Sequence, residues 1–524
     1  MTPKELSFNK EARQKLLDGI TKLSDAVKST LGPMGSTVLI ESPEHTHGIT
    51  VTKDGVTVAN SILLIEPTEN LAVRILKEAA KNTALDAGDG TTTAIVLAEA
   101  LVKKGSELIT EDVNRTEVLR QLRIQSEEVV SKLKEWSAPV EQHDIEHIAT
   151  ISSNNDKLIG SLISDVYERV GTDGIVTIEH SVDGTTHCEA TKGIKVLRGY
   201  SSPLFVNNQV NDECIFEDAH VLISDAEISN ILQIEKVLKP IVEGNKKLLI
   251  IAPCSQNVIN TLAANVMKNG LKLCHIPPPD FGYRQHELMQ DIAIAVGATY
   301  FSEKTGDDLS IMNFTDLGLA SKVIVGSGST IIISDDAEVD ERVKELENAR
   351  KQAKNKKDKD FISQRIASLK GGIGVVRVGG STDLERKELY DRVEDAICAV
   401  RSALEEGVLP GAGMPLYTIS QSMLIMNEEE ERIARAILYA ALEAPLLQIL
   451  KNGGLKYEEV YKNASKKETN LHDWGYDLKN KEWGDLKKMG VIDPTKVTRI
   501  ALENAISVAI TILSTDCIVT MQRA

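Results

Sequence analysis

The chain has 524 residues, 42% of them hydrophobic and 26% charged, with a formal net charge of −17. That length suits about three domains of roughly 150 residues each, with enough apolar residues to bury several cores. The acidic balance argues against nucleic acid or an anionic membrane as the main partner, and aromatics at only 4% leave little surface for stacking bases.

The N-terminus, MTPKELSFNKEARQKL, is charged from the start and has no apolar signal core. From Asn9 to about Thr30 the pattern is an amphipathic helix, ended at Leu31-Gly32-Pro33 because proline cannot continue it. GITVTKDGVTV, residues 48–58, alternates around Asp54-Gly55 and reads as a β-hairpin. Helical patterns then run to about Trp136. Around 192–340, short β-rich runs such as KLLIIAP, KLCHIP and STIIIS alternate with helical stretches, which predicts an α/β domain with its own sheet. Residues 335–370 read as a highly charged, solvated helical segment, followed by Gly371-Gly372 as a hinge or strand break. Helical periodicity returns from about 384 to the end. The layout is mixed α and α/β, with one domain inserted into another.

Six scattered cysteines with no C-x-x-C spacing fit free thiols in a reducing compartment. The longest apolar run, near 505–513, is short of a membrane span. A cytoplasmic protein is expected.

The stretch DAGDGTTTA, residues 86–94, carries the chemistry. Three successive β-branched threonines are poor interior helix formers, but at a first turn their hydroxyls and free amides can serve a bound anion. Gly88 and Gly90 let the backbone approach phosphate closely. Asp89 alone would repel phosphate and makes sense beside Mg²⁺. The plainer reading, a helix start capped by Asp89, is equally open from this segment alone. The Thr30–Pro33 loop and GVLPGAG, residues 407–413, could complete a nucleotide pocket. Asp395, near the start of a helix in RVEDAICAV, could orient water or favour the helix dipole. His143 and His147 fit an H-x-x-E-H pattern, but without a third ligand a solvated helix is the better reading.

Taken in order, DAVKSTLGPMG, TVTKDGVTVA, AGDGTTTA, ATISSNND, RGYSSPLF, MQDIA, LKGGIGVVRVGG, RVEDAICAVRSALEEGV and MGVIDPTKVTR resemble the group I chaperonins, the GroEL family, nearly end to end. The resemblance implies a three-domain chaperonin subunit. Residues 1–135 and 406–524 would be its mainly helical equatorial domain, 136–191 and 373–405 its intermediate hinge domain, and 192–372 its inserted apical α/β domain. It implies ATP, Mg²⁺ and K⁺ as cofactors. The nucleotide would lie against Thr30, Leu31, Gly32, Pro33, Lys53, Asp89, Gly90, Thr91, Thr92, Thr93, Ile151, Ala412, Asp477, Leu478, Lys479 and Asp493. Asp89 would hold the metal, and Asp54 and Asp395 would promote hydrolysis. Capture of non-native polypeptides would fall to Tyr200, Leu204, Phe205, Leu238 and Ile259 as exposed apolar residues of the apical rim. A homo-oligomeric, heptameric ring and a GroES-like lid are implied as partners.

The chain also departs from the family pattern. An apical leucine becomes Glu235, a valine pair becomes Ala263-Ala264, and a glycine of the nucleotide loop becomes Ala412. Asp477-Leu478-Lys479 replaces the usual adenine-side residues, and the chain stops at Gln522-Arg523-Ala524 without the Gly-Met tail. Where the family sets an arginine against a glutamate between back-to-back rings, Leu447 and Lys456 stand here, with Glu458 and Glu459 nearby. The expectation is an ATP-dependent folding chaperone working as single or labile double rings. The alternatives are a dedicated single-client factor or scaffold on the same fold, or another ATP-dependent enzyme.

Overall fold

The amphipathic stretch after Phe8 does form the first long helix, and its apolar stripe seeds a helical core. A computed structural model describes every residue except 1–3, 43–47, 173, 182–183, 192, 210–211, 304–305, 335–338, 353–355, 371–372, 424–427, 462–472 and 522–524. The expected hinge at Gly371-Gly372 and the chain end at 522–524 lie outside the described residues.

The chain opens with β1 (Lys4–Phe8), α1 (Asn9–Lys28), β2 (Val38–Ser42), β3 (Gly48–Thr52) and α2 (Gly55–Ser61). Five helices follow: α3 (Pro67–Ala87), α4 (Thr91–Leu108), α5 (Arg115–Trp136), α6 (Gln142–Ser152) and α7 (Lys157–Val170). Then come β4 (Ile175–His180), β5 (His187–Thr191), β6 (Gly193–Val196), β7 (Cys214–Ile223), α8 (Glu235–Glu243), β8 (Lys247–Ile251), α9 (Gln256–Asn269) and β9 (Leu273–Ile276). The next group is α10 (Gly282–Val296), β10 (Gly318–Val325), β11 (Thr330–Ile333), α11 (Asp340–Gln352), α12 (Lys356–Lys370) and β12 (Ile373–Val378). The chain returns to helices with α13 (Asp383–Glu406), β13 (Val408–Pro410), α14 (Met414–Gln421), α15 (Glu429–Asn452) and α16 (Tyr457–Tyr461). It closes with β14 (Trp474–Asp477), β15 (Glu482–Asp485), β16 (Ile492–Pro494), α17 (Thr495–Ser514) and β17 (Cys517–Met521).

These elements fall into two compact units, one of Met1–Asp165, Ile178–His187 and Val376–Ala524, the other of Val166–Thr177 and Cys188–Val375. In the first unit α1, α3, α4, α5, α15 and α17 bury one continuous core, including Ile20, Leu23, Leu76, Ile95, Leu101 and Leu122. Each such side chain taken from water contributes about 1.5–3 kcal/mol. By length and composition α15 and α17 are apolar enough to cross a bilayer. Their apolar positions, among them Ile437, Leu442, Leu502 and Ile506, are instead packed into this core.

The second unit is built on a six-stranded sheet of order β6-β11-β10-β7-β8-β9. β7, β8 and β9 run parallel, joined through α8 and α9, and the others pair antiparallel. This is the α/β architecture expected of the middle of the chain. The charged segment α11–α12 is not solvated all round. Arg342 and Arg365 both reach the buried Asp291 of α10, at 2.9 Å and 2.6 Å, so two of its charges serve as packing anchors.

One local expectation is corrected. Residues 48–58 are not a hairpin turning at Asp54-Gly55: β3 pairs back onto β2, and Asp54 caps the start of α2. The reason is chemical. The Asp54 carboxylate accepts from the backbone N–H groups of Val56 at 3.1 Å and Thr57 at 2.7 Å, which fixes a helix start where a turn was expected.

Candidate nucleotide site

The α3–α4 junction explains the two glycines around Asp89. Gly88 ends α3 at a φ of 74° and Gly90 begins α4 at 82°, both left-handed. A Cβ on Gly88 would stand 2.1 Å from the Cβ of Cys398, and one on Gly90 2.5 Å from Val497. Conformation and space therefore both require glycine. No side chain caps α4, so the amides of Thr91, Thr92 and Thr93 form an open helix start. Gly55 packs onto the same turn, where a Cβ would lie 2.2 Å from the Thr92 hydroxyl. That brings the Asp54 cap beside the threonine run.

Asp89 is held at both oxygens: Oδ1 accepts from the Gly90 backbone N–H, and Oδ2 accepts from the Ser152 hydroxyl at 2.6 Å. Asp395 lies in the middle of α13, not near a helix start, so a dipole role is excluded. Burial, and then the charges of Asp89 and Asp54, push the Asp395 carboxyl well above the usual range. Burial and Asp54 raise Asp391, one turn earlier on α13, to about 6. Burial and Asp89 raise Asp493, in β16, to about 7. Asp89 is itself raised, by burial first and with Asp54 adding to it, against the lowering effect of its two hydrogen bonds. The charges of Asp54 and Asp89 thus act on acids from two other places in the chain, α13 and β16. Such a cluster is short of positive charge, and a cation would relieve it.

The remaining expected residues divide. Thr30 is buried, and its hydroxyl donates to the Val27 carbonyl. The turn it opens is tied to α15, where the Asn452 amide donates to the carbonyls of Lys28 at 2.9 Å and Leu31 at 2.8 Å. Gly32 takes a φ of 81° against Ile449, and Pro33 is exposed. Lys53 is half-buried beside Asp54. The β13–β16 pair sets Leu409 opposite Asp493, with Ala412 three residues on in the left-handed region at a φ of 58°. Asp477 is spent on its own turn, accepting from the N–H groups of Lys479 at 2.8 Å and Asn480 at 3.2 Å. Leu478 is buried over Gly453, whereas Lys479 is exposed and its Nζ donates to Asn155 Oδ1 at 3.2 Å. Ile151 is half-buried in the last turn of α6, next to Ser152.

Sequence reading missed Ser152 and Asp391. Asp391 carried a usable signal, an acid four residues before Asp395 on one helix face. Ser152 carried none beyond its place next to Ile151.

Of the five apolar residues expected on an exposed rim, Leu204 is 49% exposed and Tyr200 and Leu238 are half-buried. Phe205 at 1% and Ile259 at 8% are core residues of the second unit, which corrects the expectation for those two. Exposed apolar surface comes instead from Leu232, Met267 and Ile311. His143 and His147 share α6 with ring centroids 6.3 Å apart, and no group of three His, Cys, Asp or Glu among the described residues could hold a metal. A Mg²⁺ held by one carboxylate, phosphate oxygens and water needs no such group.

Compared with solved structures, the chain is similar to the chaperonin gp146 from the bacteriophage EL 2 (Pseudomonas aeruginosa), crystallised in presence of ATP-BeFx. Over 99% of both chains the identity is 23%, with TM-scores of 0.67 and 0.62 for two crystal forms. That likeness shows the fold. The family model of the TCP-1/cpn60 chaperonin family matches residues 23–523, and the chain is therefore a member of that family.

Proposed function

We propose that this chaperonin is an ATP-dependent molecular chaperone and ATPase. It would capture non-native polypeptides on apolar apical surface and enclose them in a homo-oligomeric, heptameric ring in the cytoplasm, with a GroES-like lid as partner. Residues 1–135 and 406–524 act as the equatorial domain, 136–191 and 373–405 as the intermediate hinge, and 192–372 as the apical domain. The observation that carries the reading is the convergence of Asp54, Asp89, Asp395 and Asp493 beside the uncapped start of α4. The phage chaperonin crystallised with ATP-BeFx adds support by analogy.

The donor set fits a phosphate and cation together, and neither alone. The α4 amides and threonine hydroxyls attract an anion, while the acids would repel it unless a cation stands between. Asp89 would hold Mg²⁺, with K⁺ as a further counter-ion, and the Thr91–Thr93 turn the phosphate oxygens. Thr30–Pro33, Lys53, Ile151, Ala412, Asp493 and the 477–479 hairpin loop would line the rest. Bound Mg²⁺ supplies neutralisation of the phosphate charge. Asp54, fixed by its two capping bonds, orients the attacking water. Asp395, whose carboxyl burial and the neighbouring acids hold well above the usual carboxylate range, would take that water's proton.

Steady-state hydrolysis and nucleotide binding test this in the parent and in Asp395→Ala. The parent should hydrolyse ATP slowly and only with Mg²⁺, and the variant should bind ATP with turnover nearly lost. A parent without ATPase activity would overturn the reading. Loss of ATP binding in a folded Asp395→Ala protein would overturn the role given to that residue.

A further inference from the structure

The bond between Lys479 and Asn155 joins two segments that are each firmly built. Lys479 sits in the loop between β14 and β15, where the Asp477 carboxylate also accepts from the Asn480 side-chain amide at 2.6 Å. Lys481 is left-handed at a φ of 57°, and the rings of Tyr476 and Trp483 are 5.7 Å apart across the hairpin. Asn155 lies in the turn between α6 and α7. Asn154 and Asn155 are successive left-handed residues, with φ of 60° and 65°. Two such residues in a row are costly and persist only where their surroundings fix them. Here the Asn154 N–H donates to the Ile151 carbonyl at 3.2 Å and the Asn155 N–H to that of Thr150 at 2.7 Å.

The same turn reaches the acid cluster, because Ser152 donates to Asp89. Residues 151–155 therefore carry both a contact to Asp89 and a contact to the hairpin. Their one side-chain tie to the hairpin among the described hydrogen bonds is Lys479 Nζ to Asn155 Oδ1, at 3.2 Å.

We infer that the Lys479–Asn155 bond is a latch. It holds the turn after Ile151 against the 478–481 loop and retards the exit of nucleotide from the cleft. The inference rests on the nucleotide reading given above. Lys479 acts here as a positioning residue, through Asn155. A single exposed contact of this kind corresponds to at most about a fivefold change in a rate.

The test uses the full chain with Lys479→Ala, Asn155→Ala and the double variant. Release of a fluorescent ATP analogue with Mg²⁺ is followed by displacement with excess ATP, KM and kcat are measured, and hydrogen exchange is read in residues 150–156 without nucleotide. Each single variant should release the analogue about two- to fivefold faster and raise KM more than it lowers kcat. The double variant should be no faster than the faster single one, as expected for partners in one contact. Asn155→Asp, which gives Lys479 a carboxylate partner and tolerates the left-handed turn, should release more slowly than the parent. Release unchanged in both singles, additive effects in the double, or Asn155→Asp as fast as Asn155→Ala would each overturn the latch. If the parent binds no nucleotide, the functional reading fails, and exchange at 150–156 still decides: unaltered protection in Lys479→Ala overturns the latch as well.

Discussion

The Ser152 hydroxyl donates to Asp89 Oδ2 at 2.6 Å, and so fixes the orientation of the acid proposed to hold Mg²⁺. Partners that orient a metal ligand typically account for about 10- to 100-fold in metal affinity. Ser152→Ala is therefore expected to weaken the Mg²⁺ dependence of nucleotide binding by about tenfold or more. Ser152→Thr, which keeps the hydroxyl, should restore most of it. A Mg²⁺ titration of nucleotide fluorescence checks this. Tighter Mg²⁺ binding in Ser152→Ala would mean that the serine competes with the metal.

The acid cluster sets a pH dependence. Asp493 is held up at about 7 and Asp391 at about 6, both mainly by burial. Asp89 adds to the first, and Asp54, Glu394 and Glu388 to the second, with Lys387 opposing. A folded-state pKa above the unfolded value means that the folded chain binds more protons between the two. The associated stability is then complete at low pH and lost as pH rises to about 7. The melting temperature of the nucleotide-free protein should fall from about pH 5.5 to 7.5, with a shallower slope in Asp493→Asn or with Mg²⁺ and nucleotide bound. Parallel slopes for parent and Asp493→Asn would contradict the assignment.

Ala412 takes a left-handed conformation that costs an L-residue roughly 1–2 kcal/mol. Glycine there removes the strain but loses more freedom on folding, so Ala412→Gly should stabilise the protein by about 0.5–1 kcal/mol. Denaturant midpoints at constant m-value would measure it. Destabilisation would show that the alanine methyl makes a packing contact worth more than the strain.

The client surface must be tested differently from what the residue types suggest. Leu204→Glu should weaken capture of an unfolded protein with little change in melting temperature, because Leu204 is exposed. Phe205→Glu buries a charge and should unfold the second unit, so its loss of capture would carry no information about a rim. Glu235 and Ala264 are exposed, whereas Ala263 is buried at 1%, where valine would overpack. The gain-of-function variant is therefore Glu235→Leu with Ala264→Val. If light scattering shows it suppressing aggregation no better than the parent, the view that these two positions weaken capture fails.

What the sequence made legible was governed by local rules. The glycines at 88 and 90, the threonine helix start and the α/β middle follow from backbone conformation and period, which act over a few residues. Asp54 was misread because alternation in GITVT continues smoothly into a helix cap, and only the carboxylate's choice of two amides distinguishes cap from turn. Ser152 and the anchoring of Arg365 on Asp291 depend on contacts across the chain, which spacing does not encode. Phe205 illustrates the same limit: whether an apolar residue is displayed or packed is decided by its neighbours.

Assembly is the last expectation open to measurement. At the positions where the family sets an arginine against a glutamate between rings, Leu447 is 41% exposed and Lys456 is exposed, followed by exposed Glu458 and Glu459. A single surface ion pair is worth only about 0–1 kcal/mol. A ring repeats each contact around its circumference, so small losses multiply, and acids meeting across the ring axis would add like-charge repulsion. Tyr457 is not free to compensate by swinging outward, because its ring packs 5.3 Å from Tyr417 and their hydroxyls are hydrogen-bonded. Single rings, or double rings that part during the ATP cycle, are therefore expected. Light scattering at moderate salt, without nucleotide and then with ATP, should give a single-ring mass in at least the second condition. Lys456→Glu with Leu447→Arg, which restores the family pair, should shift the population toward double rings. A stable double-ring mass in the parent under both conditions would show that Lys456 has found acidic partners across the interface and that the exchange is compensated.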